Sequence, residues 1–366
     1  MRQSSVSVFV WLPIILLLAP AGQHGLAGDY HVYCSVTGQQ AIVQLRLDSA
    51  TGALHPVHRI GTPGEPAALT LTDNGRFLYA SMRSTGRLCS FAVDAVSGQL
   101  TLLNAVDVGA DPAHVSVSPG EQYLFSAYYA AGGVAVHRIE EDGSLSVQPV
   151  QWVATEPRAH AIEADATGRY VFVPHTSPNR IYQFRFDSAA GLLSAADPAF
   201  LQRPENTGPR HLTWAPGASV LFVDNEQGSS VTAYRMDEQG LLEPFSTASS
   251  LPDDAGVTQN SNAEVLIHPS GRWLYVSNRG HDSIALISIS AADGRLQFVE
   301  AFATQQTPRS FAITADGCWL LSAGEASGNL ETYRIDQDHG RLNSVGTSRV
   351  GTRLWWVTSS PVNSHP

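Results

Sequence analysis

Between Gly208 and Val231 the chain reads GPRHLTWAPGASVLFVDNEQGSSV. Pro209-Arg210-His211 precedes one apolar alternating run, and Asp224-Asn225-Glu226 closes the next. An arginine offers a planar fork of donors that holds a carboxylate, a phosphate or a developing oxyanion. Glutamate and histidine can take and return a proton. If the two runs form an antiparallel hairpin, its outer ends are neighbours, so Arg210 falls near Glu226. The same offset of about sixteen residues recurs along the chain. It puts Arg309 near Glu325, His160 near His175, Ala67 near Arg83, and Glu264 near Arg279 with His281 just beyond. It also puts His114 near Tyr128 and Tyr129. A ring of Arg, Glu and His of this kind suits an anionic or oxygen-rich small molecule. The competing reading is that such pairs are only ion pairs at strand ends.

Other catalytic signatures are missing. The chain holds no G-x-S-x-G, P-loop, H-E-x-x-H or EF-hand loop. Its thirteen histidines show no metal-ligand spacing. The aspartates of the recurring D-x-x-x-G-x-L pattern sit where turn formers belong. Neither metal nor cofactor is therefore expected. Cys34, Cys89 and Cys318 form no CxxC and are odd in number, so they read as small buried residues, one unassigned pairing remaining open.

A repeat must position these residues. PAALTLTDNGRFLYASMRSTGRLCSFAVDAVSGQLTLL starts at Pro66, PAHVSVSPGEQYLFSAYY at Pro112, and PRAHAIEADATGRYVFVPHTSPNRIYQF at Pro157. PRHLTWAPGASVLFVDNE follows at Pro209, NAEVLIHPSGRWLYVSNRGHDSIALI at Asn262, and PRSFAITADGCWLLSAGEASGNLETY at Pro308. Period-two alternation broken by Gly turns marks four short strands per unit, and a period of roughly 45 residues fits a propeller blade. HVYCSVTGQQAIVQLRLDSATGALHPV supplies only the outer strands of a unit, and TRLWWVTSSP only a first strand. Together they predict an all-β, seven-bladed propeller of four-stranded antiparallel blades, closed by a blade shared between the termini. Six or eight blades are the alternative counts. Of Trp355 and Trp356, one should pack between blades and the other line the channel. The predicted organisation is a signal peptide over 1–28, the propeller over 29–361 and a tail over 362–366.

Composition narrows the partners. The formal net charge is −11 in a chain without Lys/Arg clusters, which argues against nucleic acid and anionic membranes. The first residues combine Arg2, an apolar run from Val6 to Ala19, and Gly25-Leu26-Ala27 as a cleavage site. That run is shorter than the roughly 20 residues a spanning helix needs. The expected product is an exported monomer, periplasmic or extracellular, without stable membrane insertion.

The repeats also resemble a known family. PRAHAIEADATGRYVFVPHTSPNRIYQF, GPRHLTWAPGASVLFVDNEQGSSVTAY, NAEVLIHPSGRWLYVSNRGHDSI and TPRSFAITADGCWLLSAGEASGNLETY look like the seven-bladed β-propeller lactonases. That family includes bacterial propeller-type 6-phosphogluconolactonases and the carboxy-cis,cis-muconate cyclases. The resemblance implies metal-free opening of a lactone by water, or its reverse. It places the catalytic His, Arg, Glu and second Arg on His160, Arg210, Glu226 and Arg279. Arg83, His114, His211, Glu264, His281, Arg309 and Glu325 are the expected substrate-binding residues. Three departures alter the rim. Glu325 stands where relatives often have an amide, His175 where many have an acidic residue, and Gly351-Thr352-Arg353-Leu354-Trp355 replaces Gly-Pro-x-Trp.

The functional expectation is hydrolysis of a sugar-acid or related lactone, in the manner of a 6-phosphogluconolactonase. The rivals are an exported, non-catalytic propeller that binds a small anion or a protein, a muconate-cyclase-type lactonising enzyme, and a calcium-dependent lactonase. Arg210 should hold Glu226 ionised and weaken it as a base. That favours His160 as the base and Glu226 as the residue that orients Arg210.

Overall fold

In the hairpin 209–225, strand Pro209–Trp214 pairs antiparallel with Val220–Asn225, setting Pro209 opposite Asn225 and Leu212 opposite Val223. Alternate residues then face opposite sides, and each side is apolar where it meets a neighbouring blade. Two further antiparallel strands, Ser230–Met236 and Leu242–Ser249, complete the blade. The computed structural model describes residues 28–217 and 220–362 and builds seven such four-stranded sheets. The proposed signal segment and tail lie almost wholly outside the described residues. The innermost strands are Pro66–Leu71, Pro112–Val117, Glu163–Ala164, Pro209–Trp214, Ser261–Ile267, Pro308–Ile313 and Leu354–Pro361.

The termini close the ring. Leu354–Pro361 is the inner strand of a sheet whose other three strands are Tyr30–Val36, Ala41–Leu47 and Leu54–Gly61. Cys34 opposes Val357 in that register. The closing sheet thus pairs the edges that an open ring would expose.

The apolar core lies between the blades. Tyr123, Phe125, Val134 and Val136 of one sheet pack against Val171, Val173, Phe184 and Phe186 of the next. Phe125 meets Phe186 edge-on at 4.9 Å between centroids. Burying a Phe of this kind stabilises by roughly 1.5–3 kcal/mol. Polar staples join other neighbouring blades at their outer turns. The Tyr33, Tyr79 and Tyr275 hydroxyls donate to the carbonyls of Gly98, Gly143 and Gly340 at 2.7, 3.1 and 2.7 Å. Gly340 needs its φ of 72° and its lack of a Cβ, because a Cβ would lie 2.7 Å from Trp273.

The aspartates of the D-x-x-x-G-x-L pattern are turn formers. The Asp48 side chain accepts from the Ala50 and Thr51 amides at 2.9 Å. Cys34, Cys89 and Cys318 are all free thiols, the first two buried. Among the described residues no helix is long and apolar enough to cross a membrane.

One local device decides where the site residues go. Pro66, Pro112, Pro209 and Pro308 each open an inner strand, the position where a missing N–H is tolerated. Just after each the register slips, between Pro66 and Leu69, Pro112 and His114, Pro209 and Leu212, and Pro308 and Ser310. The fifth inner strand slips between Asn262 and Val265. Such bulges re-aim side chains at strand ends. The shifted residues include Arg210, His211, Glu264 and Arg309.

Candidate active site

The bulges free backbone donors that the second strands satisfy. The His211 amide donates to Asp224 Oδ1 at 2.6 Å, and the Glu264 amide to Ser277 Oγ at 3.0 Å. His211 and Glu264 are thereby fixed at their backbones, and their side chains line a cavity.

Around the end where the inner strands begin, charges assemble from several blades. Glu226 follows Val220–Asn225, and its Oε1 accepts from Arg279 Nη2 at 2.6 Å. Arg210 Nε lies 3.9 Å from the same oxygen and is 1% exposed. Arg309 approaches Glu325 at 3.3 Å and stacks 3.6 Å above the centre of the Trp355 ring. Arg83 pairs with Asp111 at 3.0 Å and faces the Tyr129 ring at 5.6 Å. The His160 ring lies 5.6 Å from Tyr129 and 5.0 Å from His211.

A second layer lies deeper. His211 Nδ1 meets Glu264 Oε1 at 2.8 Å, and its ring is 5.4 Å from His114 and 5.6 Å from Trp356. His114 Nδ1 accepts weakly from the Ile162 amide at 3.4 Å, and Nε2 stands 3.9 Å from Glu163. Below this layer a cavity of about 430 Å³ reaches Asp73 and Pro361 at the far ends of the inner strands. His114, Glu163, His211, Glu264 and Trp356 line it.

Several expected pairs are thus met and others redistributed. Arg210 joins Glu226, and Arg309 joins Glu325. Arg279 reaches across to Glu226 of the preceding blade, while Glu264 turns inward to His211. The bulge between Asn262 and Val265 causes this difference, because it breaks the simple opposition that the spacing assumed. His160 is a backbone neighbour of His175, donating its amide to Pro174 O at 3.0 Å, but the His175 ring packs on Tyr182. His114 meets His211 and Trp356. Nδ1 of His281 lies 2.7 Å from Ser283 Oγ in its own turn. Of the two tryptophans of the closing strand, Trp356 packs against the apolar clusters of neighbouring blades and also lines the cavity, while Trp355 lies under Arg309. Glu163 and Arg158 were not singled out by spacing. Arg158 donates to the Tyr129 hydroxyl at 2.6 Å from a residue with φ of 76°. A non-glycine residue in that conformation has no sequence signature.

Residues 26–358 match the family described as lactonase, 7-bladed beta-propeller. The chain belongs to that family. Among curated relatives, the 6-phosphogluconolactonase of Enterobacter sp. (strain 638) is 31% identical over 336 residues, 91% of this chain and 99% of its own length. That of Pectobacterium carotovorum is 31% identical over 310 residues, 84% and 92% of the two chains. The solved periplasmic gluconolactonase PpgL of Pseudomonas aeruginosa superposes with a TM-score of 0.84 at 27% identity, covering 91% of this chain and 99% of that one.

In this lactonase-family propeller the upper cluster is electrostatically strained in favour of an incoming anion. Burial, and then the neighbouring Arg210 and Arg279, bring the Arg309 guanidinium down to about 9. Arg210 is lowered by burial and by Arg279, against the opposing pull of Glu226. Burial raises the Glu226 carboxyl, but Arg210 and Arg279 outweigh it and leave it below its ordinary value. His160 is held well below the usual imidazole range by burial, and further by Arg210, His211, Arg309 and Arg83. It is a neutral imidazole at neutral pH. In the lower layer burial pushes Glu264 up to about 8 and Asp224 up to about 7.

Proposed function

We propose that the protein hydrolyses a sugar-acid lactone at the arginine-lined channel mouth, without a metal. The observation that carries this reading is the ionised Glu226 shared by Arg279 and the buried Arg210, whose charge bears on the neutral His160. His160 takes a proton from water as the water oxygen bonds to the lactone carbonyl carbon. Arg210 stabilises the oxyanion, a contribution of about 10²–10³ in rate. The C–O ring bond then breaks, and the proton returns from His160 to the ring oxygen as it leaves. The acid formed releases its own proton to solution. Glu226 stays ionised and fixes the two guanidiniums rather than activating water. Arg309 and Arg83 hold the sugar-acid oxygens, with Glu325 and Asp111 setting their positions.

A guanidinium oxyanion site makes a metal unnecessary, and among the described residues no group of three potential ligands converges. The likeness to the periplasmic gluconolactonase, with the leader-like first residues, supports an exported protein acting on an unphosphorylated aldonolactone. N-terminal sequencing of the exported protein should start near Gly28, and an uncleaved chain in the cytoplasm would overturn that location. A lactone panel followed by pH-stat tests the activity. Turnover of aldonolactones supports it. A saturable thermal shift with a sugar acid but no turnover of any lactone would make the protein a binding propeller instead.

A further inference from the structure

The connectors that enter the inner strands at the channel mouth are unequal. Those at 62–65, 108–111, 304–307 and 350–353 carry the chain to the next inner strand in four residues, whereas 250–260 takes eleven. About four to six residues is the usual length, so closing the ring does not require the extra chain. Both ends of this loop are clamped. The wholly buried Ser250 has its Oγ 3.0 Å from Asn262 Oδ1 and 2.8 Å from Asn278 Oδ1. Asn260 Nδ2 donates to Ser229 Oγ at 3.0 Å and to Asn278 Oδ1 at 3.1 Å, and its Oδ1 accepts the His281 amide at 3.2 Å. Gly280, at φ of 114°, makes room for the loop, because a Cβ there would lie 2.4 Å from the Gln259 carbonyl oxygen.

Between this loop and Arg279 lies a hollow of about 790 Å³, within the roughly 300–1,000 Å³ of small-molecule sites. Gln227, which follows Glu226 in the chain, lines it with Thr258, Gln259 and Ser261, beside the half-buried Leu251 and Val257. None of those four polar side chains has a hydrogen-bond partner among the described residues. Arg279 is the single charged residue of the lining. Both of its hydrogen bonds leave from Nη2, to Glu226 Oε1 at 2.6 Å and to Asn262 O at 2.8 Å, so Nη1 is uncommitted. One guanidinium thus borders the candidate active site on one side and the hollow on the other.

We propose that the hollow is a subsite for a neutral, polyhydroxylated substituent on the lactone, which makes glycosyl-substituted aldonolactones the substrate class. This rests on the lactonase reading. Side-chain amides and hydroxyls both donate and accept, as sugar hydroxyls require. Glu226 already balances Arg279, so the hollow has no surplus cation for a phosphate or a second carboxylate. Leu251 and Val257 offer apolar surface to the C–H faces of a sugar ring. The substituent supplies binding, and the ring-opening steps are unchanged.

The test compares lactobiono-1,5-lactone, a gluconolactone with galactose on O4, with glucono-1,5-lactone in pH-stat hydrolysis by the full mature chain. The expected kcat/KM is at least about tenfold higher for the glycosylated lactone, the order that two or three net hydrogen bonds supply. The double variant Thr258→Ala, Gln259→Ala changes two exposed side chains, so thermal unfolding should not move. Its ratio should fall to about threefold or less. A smaller wild-type ratio would overturn the proposal. So would a ratio that survives in the double variant, or a preference for an alkyl-substituted lactone of the same ring size. If no lactone is turned over, titration calorimetry with lactobionate and gluconate still decides the subsite. Lactobionate bound about tenfold more tightly, with that margin lost in the double variant, would refute the lactonase reading alone. Equal affinities for the two acids would overturn the subsite as well.

Discussion

Replacing Arg210 by methionine separates function from stability. Met keeps most of the aliphatic volume and removes the charge. The guanidinium attracts Glu226 across 3.9 Å, about 4 kcal/mol at an effective dielectric constant of ~20. Against this stand its own burial and the repulsion of Arg279, and these win, because the Arg210 guanidinium sits below its ordinary value. A lowered value for a cation means that folding disfavours the charged form, so loss of the charge should not destabilise the fold. Glu226 is not orphaned, since Arg279 remains at 2.6 Å. Arg210→Met should therefore unfold at the same temperature as the wild type or a few degrees higher. In pH-stat hydrolysis it should lose about 10²–10³ in kcat, equivalent to roughly 2.7–4 kcal/mol of oxyanion stabilisation. Thermal unfolding and lactone turnover of the one protein decide the matter. A clearly lower unfolding temperature with turnover intact would show Arg210 to be a structural ion-pair partner, and the reasoning would fail.

Glu226→Gln should act in the opposite sense on stability. Removing the acceptor between Arg210 and Arg279 leaves partly buried guanidiniums uncompensated, costing roughly 3 kcal/mol in denaturant unfolding at neutral pH; a change within error would contradict the clamp. Glu264 has a folded value raised to about 8, so the folded state holds a proton that the unfolded state releases above its ordinary value. Its stabilisation is complete at low pH and lost as pH rises towards 8. Between pH ~6.5 and ~8.5 the wild type should lose roughly 2 kcal/mol that Glu264→Gln does not lose; parallel pH profiles would refute this. Chelation by EDTA should leave lactone turnover unchanged, and a loss restored by calcium would revive the calcium-dependent reading.

Much of the fold can be read from the chain because one pattern is written six times. Alternating apolar runs, Gly turns and the D-x-x-x-G-x-L signal define each blade. The split blade follows from the partial units that hold Tyr33 and Trp356. The Arg210–Glu226 and Arg309–Glu325 pairs also follow from hairpin spacing, because both residues stand at strand ends. The inner layer is less legible. Spacing alone treats Glu264 as the partner of Arg279, and the structure gives it to His211, 53 residues away in the chain. The bulges make that difference. The proline opening four of the inner strands is their visible trace, but it does not say which way the next side chains turn. Glu163 resembles any half-buried strand residue until the ring closes and brings it to His114.

The central claim meets its most direct test in pH-stat hydrolysis of glucono-1,5-lactone and its 6-phosphate by the mature protein beside His160→Gln. The account predicts turnover of the unphosphorylated lactone by the wild type, reduced by roughly 10²–10⁴ in the variant with the fold intact. Turnover that survives in His160→Gln, or a wild type that leaves both lactones to spontaneous hydrolysis, would contradict it.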